Sequence, residues 1–238
     1  MTMRLKEIAR TPPLLLAQKL LRQVPRRPID VGRLCFLQLE GLPQVPSSTR
    51  VRHIEVRFAT MNDLDALCGL QDKRGEFEQR LRNGDKCIVA SIRGRVVGYE
   101  WICDSGVHRE AEWDYPITIP GGYVYAYDAF IDPAYRNTGV WLRFKQYLAG
   151  WMAAQGKQGV LTFVDYGNWP SLRTHLRFGF QPTGSVLALR IAGLTLFRKM
   201  RAVGAAAWSL LAGVAMYPHV HVHHAARVAH MAIALSRR

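Results

Sequence analysis

No carboxylate occurs after Asp165. His219, His221, His223 and His224 therefore lack the acidic second shell that usually orients metal-bound imidazoles, and they read as a basic, solvated cluster with no metal. Acid is scarce throughout, with 18 Asp and Glu against 32 Lys and Arg, a formal net charge of +14. Such an excess favours an anionic partner, whether nucleic acid, a membrane surface, an acidic carrier protein or a phosphorylated ligand. Cys35, Cys68, Cys87 and Cys103 form no C-x-x-C pair, which argues against a disulfide framework. They read as small buried residues in a reducing compartment. The start of the chain lacks the basic, apolar and small-residue order of a signal peptide, so the cytoplasm is the expected location. The charge-free run Ala202 to Tyr217 is sixteen residues, short of the roughly 20 that cross a bilayer. No internal repeat is evident.

The most informative stretch runs from Tyr123 to Phe180. Tyr123 to Ile131 alternates with aromatic and β-branched residues, which predicts a strand. Asp132-Pro133 stops it, Arg136-Asn137-Thr138-Gly139 makes a turn, and a helical pattern runs from Val140 to Gln155. Strand, glycine turn and helix together point unpaired backbone N–H groups and the positive end of a helix dipole at one place, a seat for phosphate. A second strand, Val160 to Val164, is followed by a helix capped at Asn168 and broken at Gly179.

These residues resemble the GNAT superfamily of acyl-CoA-dependent N-acyltransferases. Its phosphate motif, apolar-x-Pro-x-x-Arg/Gln-x-x-Gly-x-Gly/Ala, is matched by Ile131, Pro133, Arg136 and Gly139, with Trp141 in place of the final small residue. Its second motif is matched by Asn168, Ser171 and Gly179-Phe180. The resemblance covers roughly residues 52 to 199 and implies an α/β (α+β) fold with a mixed, mostly antiparallel sheet split between its two central strands. Helices flank the sheet, and helical extensions are expected at both ends. The expected division is residues 1–50 as a basic N-terminal extension, 51–199 as the acyltransferase domain and 200–238 as an apolar, His-rich helical tail.

The resemblance implies transfer of an acyl group, acetyl first, from acyl-CoA to a primary amine of a small-molecule, sugar or lipid-linked acceptor. Pantetheine would pair with the strand near Phe130 and Ile131. The phosphates would sit on the turn and helix start formed by Arg136, Asn137, Thr138, Gly139, Val140 and Trp141, with Asn168 and Ser171 also at the cofactor. An exposed strand N–H would polarise the thioester carbonyl. Asp128, the only acid on its strand, is the candidate base, with a bracing role as the alternative. Tyr125 would relay a proton through water, and His175, where the family commonly has tyrosine, would protonate the leaving thiolate. Two other readings accompany this one: long-chain transfer from an acidic acyl carrier protein, whose pantetheine carries one phosphate and so tolerates Trp141, and a CoA-binding sensor without turnover.

Outside this region, Thr11 with Pro12-Pro13 opens a basic amphipathic helix with Leu14, Ala17, Leu21 and Val24 on one face. It packs on its own domain or lies on anionic lipid at the inner membrane face. Gly32 to Glu40 reads as an extra strand. Ile54 to Phe58 reads as a strand, Asn62 or Asp63 as the cap of a helix through Leu70, and Glu76 to Arg82 as a second helix. Cys87 to Ser91 and Val96 to Cys103 form a hairpin around Arg93-Gly94, and Ser185 to Ile191 and Leu194 to Arg198 another around Ala192-Gly193. Asp104 to Gly122 reads as a long charged loop that shapes acceptor choice. Charge alone suggests nucleic acid, and no base-stacking motif accompanies it.

Overall fold

The computed structural model describes residues 12–25, 28–45, 53–104 and 106–201. The apolar run from Ala202 and the histidine cluster lie outside the described residues. Among the described residues, no helix is long and apolar enough to cross a membrane. The chain divides into two compact units, one of the chain through Leu37, Arg109–Thr118 and the chain from Phe163, the other of Gln38–His108 and Ile119–Thr162.

The second unit carries strands β2 (Ile54–Phe58), β3 (Lys86–Ile92), β4 (Arg95–Cys103) and β7 (Tyr123–Ile131), with the start of β8 (Gly159–Asp165). The ladder runs β8-β7-β4-β3-β2. Its pairs are antiparallel except β7 with β8, which is parallel. Arg93 and Gly94 both take positive φ, 52° and 75°, the type I′ geometry that joins β3 to β4 as expected. Helices cover both faces of β4. Tyr99 and Trp101 meet Phe77 of α3 (Arg74–Arg82) at ring distances of 5.2 and 5.7 Å. Glu100, pointing the other way by strand alternation, meets α4 (Val140–Ala154). Val140, Phe144, Leu148 and Met152 recur every four residues on α4 and are buried, the stripe a helix presents to a sheet.

Thr60, rather than Asn62, supplies the capping hydroxyl before α2 (Leu64–Leu70). It accepts from Asn62 N, and Asp63 accepts from Thr60 N at 2.8 Å, over a short 3₁₀ turn. Arg57 grips the Asp63 carboxylate with both terminal guanidinium nitrogens, at 2.8 and 2.6 Å. That hydrogen-bonded pair pulls the carboxyl down to about 2.

The first unit holds α1 (Pro13–Leu21), most of β1 (Ile29–Glu40), the end of β8, α5 (Trp169–Arg177), β9 (Gln181–Ile191) and β10 (Leu194–Arg201). Pro12 occupies the N-cap position of α1, one residue beyond the expected Thr11. β1 is longer than the predicted extra strand and sits between β9 and β8 in the order β10-β9-β1-β8. Residues assigned to an extension are thus an interior strand of the sheet. The stretch expected to be a loop contains β5 (Val107–Glu110) and β6 (Tyr115–Thr118), a two-stranded ribbon with Trp113, Tyr115 and Ile117 buried. Those three residues and Ile119 alternate by two, and Asp114 and Pro116 between them masked the pattern.

Candidate functional site

β7 changes character halfway along its length. Trp101 of β4 faces Tyr127, whereas Tyr99, two residues earlier, faces Phe130, so three steps on β7 oppose two on β4. The extra residue makes a β-bulge at Asp128, whose φ is +41°. On its other edge β7 pairs with β8 only from Tyr123 to Tyr125. From Ala126 onward β7 carries no paired position with β8, and Ala129 is exposed. A strand edge released from its neighbour just past a bulge offers N–H and C=O groups to an extended ligand. Gly98 lets β4 approach this stretch, since a Cβ there would stand 2.8 Å from the Phe130 carbonyl oxygen.

The turn after β7 has the expected form. Asp132 caps it, accepting from Ala134 N at 3.0 Å, and Pro133–Tyr135 form one 3₁₀ turn. Asn137 and Gly139 then take φ of 63° and 94°, and Gly139 is the N-cap of α4. The N–H groups of Thr138, Gly139 and Val140 have no backbone acceptor among the described residues. Thr138 Oγ1 donates to Tyr135 O at 2.6 Å, which fixes the turn. Left-handed residues around unengaged amides at a helix start build a concave anion site. Arg136 is exposed and donates from Nε to Ile131 O at 3.3 Å.

The acid–base residues differ from expectation. Asp128 is the only acid on its strand and is braced by cations from elsewhere: Arg80 reaches Oδ2 at 2.5 Å and Lys73 reaches Oδ1 at 3.1 Å. Tyr125, expected to relay a proton through water, is fully buried and stacks on Tyr127 at 5.5 Å. Tyr127 donates to Asp85 Oδ2 at 2.5 Å, and burial together with that carboxylate raises the phenol's pKa. His108 was missed. Its ring lies 4.1 Å from Tyr127 and 4.9 Å from Tyr125. Burial pushes the imidazole down to about 4, although Asp85 pulls the other way, so it is neutral at pH 7. A lone histidine in a presumed loop gave no signal of this.

In the first unit the second motif folds as predicted. Asn168 Oδ1 accepts from Ser171 N at 3.3 Å and caps α5. His175 is buried, sits 2.8 Å through Nδ1 from Ser171 O, and packs edge-on against Phe180 at 5.0 Å. The same unit carries an open pocket of about 530 Å³ lined by α1, Glu112, Asp165, Tyr166, Gly167 and Trp169. Burial, then Glu112 and Glu110, lift the Asp165 carboxyl to about 6.

A model of the acetyltransferase (GNAT) family matches residues 50–180. Among solved structures, a conserved protein of unknown function from Staphylococcus epidermidis aligns with a TM-score of 0.51 at 13% identity, over 76% of this chain and 68% of that one. It shares the fold. Aminoglycoside N-acetyltransferase AAC(6')-Iy in complex with CoA aligns at 18% identity and a TM-score of 0.43, over 53% of this chain and 91% of that one. An N-acetyltransferase from Staphylococcus aureus aligns at 19% identity and 0.41, over 54% and 84%.

Proposed function

The chain belongs to the acetyltransferase (GNAT) family, and from that premise we propose that it moves an acetyl or other acyl group from CoA to the primary amine of a small-molecule, sugar or lipid-linked acceptor. The observation that carries this reading is the succession of bulge, released strand edge and amide-lined turn along residues 126–140.

In this reading the CoA diphosphate accepts hydrogen bonds from Thr138, Gly139 and Val140 N–H, with Arg136 adding charge. The pantetheine arm pairs with β7 beside Phe130 and Ile131. An N–H at the bulge donates to the thioester oxygen as the amine nitrogen attacks the carbonyl carbon and the oxyanion forms. The carbon–sulfur bond then breaks. Asp128, fixed by Lys73 and Arg80, accepts a hydrogen bond from the incoming nitrogen and aims its lone pair, and the proton passes on to water. The departing thiolate takes up a proton and leaves as the thiol; by resemblance of the second motif, that role is assigned to His175, and Asn168 and Ser171 are assigned to the cofactor.

Thiol release from acetyl-CoA over a panel of primary amines tests the proposal. Release is expected only with amine present, and Asp128→Asn should lower kcat by about tenfold to a hundredfold. Tight CoA binding without thiol release from any donor, including acyl carrier protein thioesters, would overturn it in favour of a sensor.

A further inference from the structure

Trp141 stands where a bulky side chain threatens the proposed phosphate seat. It is the second residue of α4, after the N-cap Gly139. Helical side chains lean toward the helix N-terminus, over the preceding turn. An indole following that habit would lie across the amides of Thr138 and Gly139. The structure gives the ring a cationic partner one turn further on. Lys145, one turn further along α4, places Nζ 4.9 Å from the centre of the Trp141 ring. Lys145 is itself fully buried, and its Nζ is 2.5 Å from Oε1 of Glu100 on β4, which is 3% exposed. The other carboxylate oxygen, Oε2, has no hydrogen-bond partner among the described residues.

A buried ion pair rarely repays the desolvation of its two charges, so stability alone is a poor reason for Glu100 and Lys145 to be there. Their joint geometry has a second consequence. The ammonium is pinned toward the sheet by the carboxylate, and the indole face is drawn to the ammonium by cation–π attraction, which strengthens where water is excluded.

We propose that Glu100 and Lys145 are positioning residues that hold the Trp141 indole on the sheet side of α4 and so keep the amide-lined turn open to the donor's phosphates. The inference rests on the acyl-CoA reading above. It explains how a chain with tryptophan in place of the small residue keeps a usable phosphate site. Glu100 acts through Lys145, Lys145 acts through Trp141, and none of the three needs to touch the reacting atoms.

The test is a double-mutant cycle read as KM for acetyl-CoA and as kcat, with CoA affinity from calorimetry and thermal melts to confirm folding. Lys145→Met is expected to raise KM about tenfold while kcat stays within about threefold, because a swung-out indole obstructs binding without altering the chemistry. With the indole removed Lys145 has nothing to hold, so the double variant should match Trp141→Ala in KM. A double variant as poor as Lys145→Met would overturn the proposal, and so would a tenfold loss from Trp141→Ala alone, which would mean that the indole itself binds the donor. Trp141→Ala remains decisive even if Lys145→Met fails to fold. Wild-type protein that binds no CoA sinks the donor reading itself, whereas CoA binding indifferent to Lys145→Met sinks only the positioning role.

Discussion

Single residues explain most about this site where the structure gives them partners distant in sequence. Asp128 meets Arg80 and Lys73, 48 and 55 residues away, and no local pattern could have named either. His108 is the sharper case, since its neutrality comes from burial first, with Asp85 opposing and the charge of Arg80 adding to it. Its pKa is depressed from 6.5 to about 4, so the unfolded chain binds more protons than the native one between those values. Stability is therefore full above pH 6.5 and falls as pH drops toward 4, by about 2–3 kcal/mol from this residue. Urea midpoints at pH 7 and 4.5 should show that loss in wild type and less of it in His108→Phe, which keeps an aromatic ring in the stack. An unchanged difference in His108→Phe would assign the acid loss to other groups. Asp63 adds a similar trend lower down, its contribution present above its ordinary value near 3.8 and lost as pH falls through about 2.

At the scale of elements, the sequence was legible wherever a local rule sufficed. The strand before the turn, the fifteen residues of α4, the Asn168 cap and both positive-φ hairpin turns follow from alternation, four-residue spacing and the few residues that tolerate left-handed backbone. What local rules do not contain is which strands pair. The bulge at Asp128 arises from a register shift against β4, and a shift between strands leaves no mark within either one. Gly98 is an exception in hindsight, a strand glycine marking close approach of another backbone. Gly98→Ala should therefore force β4 and β7 apart at Phe130, lowering stability by about 1–3 kcal/mol and weakening CoA binding more than a matched Ala90→Ser change on β3. A Gly98→Ala protein with the wild-type melting temperature and CoA affinity would show that the strands give way freely there.

For the whole molecule, the charge excess makes a prediction independent of any one contact. A polyanionic donor should be drawn to a protein of net charge +14, and salt should screen that attraction over distances beyond about 10 Å. Raising ionic strength from about 0.05 to 0.5 M should increase KM for acetyl-CoA several-fold and leave KM for an uncharged pantetheine-type thioester nearly unchanged. Equal responses from the two donors would mean that the excess charge serves another ligand. The order of strands β10-β9-β1-β8 also bears on biogenesis. β1 leaves the ribosome before both its neighbours, β8 and β9, which follow it far along the chain. Until they appear, a twelve-residue strand keeps two bare edges, the condition in which nascent chains stick to one another and engage chaperones.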